Sequence, residues 1–231
     1  MSSFSGVESS LERVQDIGGF RQGLISSSTR GKSIGCLLKV GYVTTVESFL
    51  IALGGNLPSE AGAPAETLRA ALDALAGEGA ELRAVSPFYA TPCFPAGAGP
   101  DYVNAAAEIG FGGDARACLA LLHRVEQMFG RERQRRWGRR TLDLDLIAQG
   151  AQVLPDREGY AAWRDLPGEL QMTRAPDQLI LPHPRLQERA FVLVPLADIA
   201  PDWRHPVLGL SVREMLARLP AGDVAEVVRL P

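Results

Sequence analysis

The feature that most constrains this fold is a short alternation of leucine and aspartate. Leu142, Leu144 and Leu146 alternate with Asp143 and Asp145. A period of two predicts a β-strand with the leucines on one face and both carboxylates on the other. Because the leucines must be covered by a core, the two aspartates face away from it, about 7 Å apart along the strand.

A run of arginines comes directly before this strand. Residues 131–140 contain six arginines, and guanidinium groups bind phosphate through pairs of parallel hydrogen bonds. Aspartates bind hard cations such as Mg²⁺. A metal–polyphosphate complex needs both groups, so the combined pattern predicts a nucleotide site with Asp143 and Asp145 as metal ligands. The alternative is an ordinary edge strand with solvated aspartates. The Asp-x-Asp pattern alone would favour that alternative, because it is short and common, and the preceding arginines favour the metal site.

The composition is typical of a soluble globular protein. The chain has 231 residues, 46% of them hydrophobic and 22% charged, enough for one domain or two small ones. Its formal net charge of −3 argues against a broad nucleic-acid surface. Cys36, Cys93 and Cys118 are too widely spaced for a metal-ligand pair or a disulfide framework. The sequence has no apolar stretch of about 18 residues and no secretory signal, so we expect a cytoplasmic protein that binds neither nucleic acid nor membrane.

The other periodicities predict a series of strands and helices. In chain order they are the strand 49–54, the helix from 68 to about 77, the strand 82–89, the strand 103–111, the helix 114–129 and the strand 142–146. Pro87 interrupts the second strand, which indicates an edge or a bulge. The order β-α-β-β-α-β predicts an α+β fold of the ferredoxin-like type, an antiparallel sheet with two helices on one face, followed by C-terminal additions.

Two segments do not follow this pattern. Residues 1–46 are rich in serine and glycine with weak periodicity, and we expect a disordered extension or residues upstream of the true start. Residues 155–178 lack regular apolar periodicity, which predicts an inserted loop. Near the C-terminus, Ser211 and Glu214 have the spacing of a capping box and predict the start of a helix.

Several short segments match the motifs of a known family, in that family's order. They are 52–56 (ALGGN), 86–92 (SPFYATP), 100–105 (PDYVNA), Glu126 with 130–131 (GR), 136–145 (RWGRRTLDLD), 181–184 (LPHP) and 189–191 (RAF). Together they cover about residues 47–210, and the chain resembles the 6-hydroxymethyl-7,8-dihydropterin pyrophosphokinase family of folate biosynthesis. The resemblance implies that residues 47–231 form a pyrophosphokinase domain, and the family's ferredoxin-like fold agrees with the predicted strand order.

The resemblance also implies an activity, a cofactor and a set of site residues. The family transfers the β,γ-diphosphate of ATP to the hydroxymethyl group of the pterin and releases AMP, with two Mg²⁺ ions, here on Asp143 and Asp145. The implied catalytic residues are Arg131, Arg140, Asp143 and Asp145. The implied ATP-binding residues are Glu126, Arg131, Arg133, Arg136, Trp137, Arg140, His183 and Arg189. The implied pterin-binding residues are Thr91, Pro92, Phe94, Tyr102, Asn104, Trp137 and Phe191, and the two small molecules are bound by a monomer.

Some of these residues have a simpler interpretation. Phe191 lies in an apolar run and would by default belong to the core. His183 lies between two prolines and would by default be a loop residue. Their positions inside matched motifs favour a functional role for both. Gly55 departs from the family pattern, because it stands where the family usually has serine.

Two other functions stay open. A ferredoxin-like RNA-binding module would stack bases on exposed aromatic residues of its central strands, where this chain has Ala105 and Ala107. A metal-dependent phosphohydrolase would use Asp143 and Asp145 with water as the nucleophile. Release of AMP only in the presence of the pterin would separate the transferase from both.

Overall fold

The computed structural model describes residues 45–93, 99–130 and 140–231, and these form a mixed α/β fold on an antiparallel sheet. Several predictions lie outside the described residues. These are the predicted extension, except for Thr45 and Val46, and the site residues Phe94, Arg131, Arg133, Arg136 and Trp137.

The order of elements along the chain begins as predicted and continues with further helices. The strands are β1 (Glu47–Gly55), β2 (Glu81–Val85), β3 (Tyr89–Thr91), β4 (Tyr102–Phe111), β5 (Asp143–Gln149) and β6 (Val228–Arg229). The helices are α1 (Pro64–Gly77), α2 (Ala115–Met128), α3 (Arg157–Arg164), α4 (Gly168–Thr173), α5 (Ala190–Ile199), α6 (Val212–Leu216) and α7 (Ala221–Ala225), with a 3-10 turn at Leu186–Glu188. The strand order is β5-β1-β4-β3-β6, and β2 also pairs with β4.

Local signals in the sequence account for several element boundaries. The predicted second strand is split, because β2 ends before Pro87 and β3 begins after it. Asp114 caps α2, since its carboxylate accepts a hydrogen bond of 2.8 Å from the Ala117 N–H. The predicted capping box of Ser211 and Glu214 is present at the start of α6. The cap at Asp114 and the capping box are confirmed, whereas the single strand predicted for 82–89 is two strands.

The first face of the sheet packs against α1 and α2. Alternate residues of β1 and β4 point to this face, as the predicted period of two requires. The core contains Phe49, Ile51, Leu53, Leu68, Leu72, Leu75, Ala105, Ala107, Ile109, Leu121, Leu122 and Val125. The residues from β1 to β5 therefore form a sheet with one face covered by two helices.

The second face of the sheet is covered by the C-terminal helices α5 and α6. Leu50, Ala52 and Ala106 point to it and share a cluster with Val192 and Leu193 of α5. A second contact fixes the far end of α5, where the Tyr89 hydroxyl donates a hydrogen bond of 2.6 Å to the Asp198 carboxylate. Burial and this bond raise the pKa of Tyr89 to about 12. The C-terminal additions thus close the sheet on its other side.

The prediction of an inserted loop at 155–178 is wrong in part, because this segment contains α3 and α4. The Asp156 carboxylate caps α3 by accepting a hydrogen bond of 2.8 Å from the Gly159 N–H. Tyr160 is the only buried residue of α3. A helix of eight residues with one core position has no apolar period to detect, which explains the error.

A buried hydrogen bond ties α3 to the C-terminal region. The Tyr160 hydroxyl lies 2.8 Å from Nε2 of His205, and neither side chain is exposed to solvent. Nδ1 of His205 accepts from the N–H groups of Val207 and Leu208, at 3.2 and 3.3 Å. Burial, assisted by the positive charge of Arg164, lowers the pKa of His205 to about 4. His205 is therefore neutral at pH 7, with its proton on Nε2.

We expect this histidine to make stability depend on pH. An unfolded histidine has a pKa of about 6.5, above the folded value of about 4, so between these values the unfolded chain binds more protons. The free energy of unfolding should therefore fall on acidification, by about 2 kcal/mol between pH 7 and pH 5 from His205. Urea unfolding of the wild type and of His205→Asn across this range would measure it. Parallel curves for the two proteins would contradict the assignment.

Candidate active site

The floor of the site is a row of residues that crosses three strands. Gly54 of β1 pairs with Asn104 of β4 on one side and with Asp143 of β5 on the other. Directly opposite residues in a sheet point to the same face, so these three face the C-terminal helices. A Cβ atom on Gly54 would lie 3.0 Å from Oδ1 of Asn104. Glycine here keeps the space between the amide and the carboxylate open.

The predicted alternation along β5 is confirmed. Leu142, Leu144 and Leu146 are almost fully buried in the first core. The side chains of Asp143 and Asp145 are 24% and 39% exposed. Both carboxylates therefore reach solvent from one face of the strand, as a metal site requires.

Each aspartate has an arginine partner. Arg140 forms an ion pair with Asp143, and Nη1 of Arg189 lies 3.7 Å from Oδ2 of Asp145. Arg189 is the N-cap residue of α5, and its carbonyl accepts hydrogen bonds from the first turn of that helix. Burial lowers the pKa of the Arg189 guanidinium, and the charge of Asp145 opposes this shift. The site thus places positive and negative groups side by side in a partly desolvated setting.

Asn56 fixes the point at which the arginine run meets the sheet. Its side chain is buried, and its Oδ1 accepts a hydrogen bond of 3.0 Å from the Arg140 N–H. The N–H groups of Asn56 and Leu57 both donate to the Arg140 carbonyl, at 2.9 and 3.1 Å. The backbones approach so closely that a Cβ atom on Gly55 would lie 2.5 Å from the Thr141 carbonyl oxygen. This clamp orients Arg140 toward Asp143.

His183 lies beside the aspartates as a neutral imidazole. The backbone N–H of His183 donates a hydrogen bond of 2.8 Å to the Ile147 carbonyl, which holds the segment around His183 alongside β5. Nδ1 accepts a hydrogen bond of 3.2 Å from the Arg185 N–H, so the proton is assigned to Nε2. Burial lowers the pKa of His183 to about 3, with contributions from Arg189 and Arg185. The ring can therefore donate one hydrogen bond from Nε2 to an anionic ligand.

Two cavities open beside β5. The first, of about 600 Å³, lies between α2, β5 and the segment that follows α4, and its lining includes Leu119, His123, Leu146, Trp163 and Leu179. The second, of about 670 Å³, lies over the floor of the sheet, and its lining includes Thr91, Pro92, Tyr102, Asn104, Arg140, Asp143 and Phe191. Six residues border both cavities: Asp145, Arg174, Pro176, His183, Arg185 and Arg189. The cavities thus meet at Asp145.

The described residues proposed for the pterin lie together in the second cavity. Nδ2 of Asn104 donates a hydrogen bond of 2.7 Å to Oγ1 of Thr91, which leaves Oδ1 of Asn104 facing the gap above Gly54. Phe191 is 39% exposed, and the Arg189 guanidinium lies 5.6 Å from its ring centroid. Phe191 is therefore not a plain core residue.

Three of the residues proposed for ATP border a cavity, and a fourth lies behind the sheet. Arg140, His183 and Arg189 face the cavities. Glu126 is 1% exposed and is absent from the lining of both. Its Oε1 accepts a hydrogen bond of 2.8 Å from the Leu144 N–H, between the two aspartates along β5. The structure thus gives Glu126 a role in positioning β5, the strand that carries both aspartates.

Three residues at or beside the site were missed by reasoning from the sequence. Asn56 lies inside a matched segment, but its contact with Arg140 joins residues 84 positions apart. Arg174 and Arg185 border both cavities. Arg174 follows a segment without periodicity, and nothing in one sequence distinguishes it from the other arginines.

The described residues offer two carboxylates as candidate ligands for a metal ion. Within residues 45–93, 99–130 and 140–231, no group of three or more histidine, cysteine, aspartate or glutamate side chains could hold an ion. Asp143 and Asp145 remain as a pair of hard oxygen ligands. Mg²⁺ is commonly bound by one or two carboxylates together with water and substrate phosphates, so the pair fits this ion. No helix in the described part of the chain is long and apolar enough to cross a membrane.

Comparison with known proteins places the chain in a family. The family profile described as 7,8-dihydro-6-hydroxymethylpterin-pyrophosphokinase (HPPK) matches residues 50–201. The chain is 39% identical over 177 residues to the 2-amino-4-hydroxy-6-hydroxymethyldihydropteridine pyrophosphokinase of Pseudomonas aeruginosa, covering 76% of this chain and 93% of that protein. It is 36% identical over 171 residues to the protein of the same name from Synechocystis sp., covering 74% and 75%.

A solved structure agrees in fold. The wild-type HPPK-DHPS of Plasmodium falciparum matches with a TM-score of 0.51 at 13% identity, over 75% of this chain and 41% of that chain. This chain therefore spans less than half of the length of that protein, and the likeness concerns the fold alone. On the family profile and the two bacterial relatives, the chain belongs to the 7,8-dihydro-6-hydroxymethylpterin-pyrophosphokinase family.

Proposed function

We propose that this protein transfers diphosphate from ATP to 6-hydroxymethyl-7,8-dihydropterin and releases AMP, a step of folate biosynthesis. The observation that carries the proposal is the meeting of two cavities at Asp145. A transfer reaction needs a donor and an acceptor held at once, with the reacting groups at their common border. Carboxylates and arginines lie at that border, where the phosphates must be.

The chemistry of each lining assigns the substrates to the cavities. The first cavity offers leucine side chains with His123 and Trp163, which suits the base and ribose of a nucleotide. The second offers the exposed ring of Phe191 and the amide of Asn104. A pterin is a flat ring with amide-like edges, so an aromatic side chain can stack on the ring and an amide side chain can hydrogen-bond to its edge. The hydroxymethyl group then points toward Asp145.

The transfer itself is a displacement at phosphorus. The hydroxyl oxygen of the pterin bonds to the β-phosphorus of ATP, the bond from that phosphorus to the α,β-bridging oxygen breaks, AMP leaves, and the hydroxyl proton passes to solvent. Two Mg²⁺ ions on Asp143 and Asp145 would neutralise charge on the phosphate oxygens. Arg140 and Arg189 supply further positive charge, and His183 supplies a hydrogen bond from Nε2. The protein contributes positioning and electrostatics and no covalent intermediate.

The finer structural and cellular features belong to the same proposal. The order β5-β1-β4, with β2 and β3 both paired to β4, supports a ferredoxin-like core in which β2 and β3 together form the second strand. Action as a monomer that binds only its two substrates is part of this proposal. Two free cysteines among the described residues, Cys93 and Cys118, are compatible with a reducing compartment and support a cytoplasmic location.

The alternative functions fit this site less well. An RNA-binding module would need an open sheet face, but α5 and α6 cover the face opposite α1 and α2. A phosphohydrolase would need only the first cavity and the aspartates. A hydrolase reaction then leaves the second cavity, with its exposed Phe191 and the amide of Asn104, without a ligand.

The deciding experiment is an assay of AMP release. The purified protein is incubated with ATP and Mg²⁺, with and without 6-hydroxymethyl-7,8-dihydropterin, and AMP and the diphosphorylated pterin are quantified. We expect AMP and product in equal amounts, and only when the pterin is present. AMP, ADP or phosphate released without the pterin would favour a hydrolase and contradict the proposal.

Asn104→Ala should weaken pterin binding selectively. The variant removes a buried amide beside the ring position, and such a loss raises KM for the pterin by about tenfold to a hundredfold. The Kd for a non-transferable MgATP analogue should change little, because Asn104 borders only the second cavity. Thr91→Val, which removes the partner that orients the amide, should give a smaller effect. Equal loss of affinity for both substrates in Asn104→Ala would count against this pocket assignment.

A further inference from the structure

Arg174 lies where the two cavities meet. It directly follows α4, in the segment that also contains α3. Its N–H donates a hydrogen bond of 2.8 Å to the Leu170 carbonyl, which ends α4. The residue is exposed and borders both cavities, as Asp145 does. Its position is therefore fixed by the backbone while its side chain stays accessible.

The other arginines of this junction already have acidic partners. Arg140 pairs with Asp143, Arg189 lies 3.7 Å from Asp145, and Arg185 lies 3.4 Å from Glu188. Within the described part of the chain, no carboxylate or other acceptor engages the Arg174 guanidinium. A guanidinium has five donors and no acceptor, so at this border it is available to an anionic ligand.

We infer that Arg174 is a positioning residue for the phosphates of the nucleotide, an inference that rests on the function proposed above. The pterin ring is neutral, whereas the triphosphate carries several negative charges. The phosphates must run from the first cavity to Asp145, and Arg174 borders both cavities along that path. A fork of parallel donors suits two phosphate oxygens at once.

The segment from α3 to Arg174 is then part of the nucleotide site. Trp163 of α3 borders the first cavity, and the Tyr160–His205 hydrogen bond anchors the same helix to the C-terminal region. The anchored helix and the arginine beyond α4 thus form one wall of the cavity. This wall comes from residues that carry none of the matched motifs.

Binding measurements test this inference without requiring turnover. The Kd of α,β-methylene-ATP with Mg²⁺ and the Kd of adenosine are measured by calorimetry for the wild type, Arg174→Ala, Arg174→Lys and Arg157→Ala. Arg157 is an exposed arginine of α3 outside both cavities and serves as the matched control. We expect Arg174→Ala to raise the Kd of the analogue about tenfold and to leave that of adenosine unchanged.

The remaining variants and outcomes complete the test. Arg174→Lys should recover part of the affinity, because it keeps the charge and loses the fork, and Arg157→Ala should bind as the wild type does. Equal weakening of adenosine and analogue would mean that Arg174 only shapes the pocket, and no weakening of either would mean that it touches no phosphate. Both results would overturn the inference. Failure of the wild type to release AMP with the pterin would refute the proposed function instead. The comparison of dissociation constants would still show whether Arg174 contacts the phosphates, because it does not require turnover.

Discussion

Asp143→Asn and Asp145→Asn should each lower AMP release at least about a hundredfold, because in the proposed mechanism these aspartates hold Mg²⁺, and losing such a ligand removes several kcal/mol of charge stabilisation at the transferring phosphates. Both carboxylates reach solvent from the face of β5 that borders the cavities. Asparagine keeps the size and one oxygen of each side chain but removes the charge that a hard cation needs. The assay is AMP release with saturating pterin over a range of Mg²⁺ concentrations.

The same substitutions should leave the fold intact. Each aspartate is partly exposed and pairs with an arginine at the edge of an open cavity, where solvent still screens the pair, so we expect its loss to cost about 1 kcal/mol. The loss of the pair is offset by relief of repulsion between two neighbouring carboxylates. Asp73→Asn, on the exposed side of α1, is the control for charge removal elsewhere. Near-normal turnover in either site variant would show that the aspartates do not hold the metal.

The features that follow from local geometry could be predicted from the sequence. Side chains alternate along a strand, so Asp143 and Asp145 had to share a face once the leucines were assigned to the core. A proline has no N–H to donate, so an irregularity at Pro87 was expected, although as an edge or a bulge within one strand and not as a break between β2 and β3. Matched motifs then led to Asn104 and Phe191, which composition alone would have left as ordinary sheet and core residues. The structure places both in the second cavity.

The features that depend on long-range packing could not be predicted. The apolar run after Arg189 had no detectable period, because α5 buries Val192, Leu193, Pro195 and Leu196 around much of its circumference. The clamp of Asn56 on Arg140 and the position of Arg174 between two cavities depend on how distant segments meet. Residue type gives no sign of such contacts.

The role of Glu126 shows how the structure changes an expectation drawn from resemblance. The family motif suggests a contact with ATP, whereas the buried carboxylate accepts the Leu144 N–H at 2.8 Å. Among the residues that the structure describes, β5 lies at the edge of the sheet, so an N–H on its outer side has no neighbouring described strand to bond. Glu126 satisfies this group from α2 and so holds the backbone between Asp143 and Asp145.

Glu126→Ala should therefore reduce stability and activity together. The substitution leaves a buried N–H without its acceptor and opens a void under β5, which costs about 2–3 kcal/mol of unfolding free energy. The two aspartates then lose their fixed spacing, and AMP release should fall with them. Glu126→Gln keeps an acceptor oxygen and should lose much less of both. Urea unfolding and AMP release on the three proteins separate the two roles of this residue. Lost activity with unchanged stability in Glu126→Ala would mean that the carboxylate contacts the nucleotide directly, because a positioning role requires the strand to loosen when its hydrogen bond is removed.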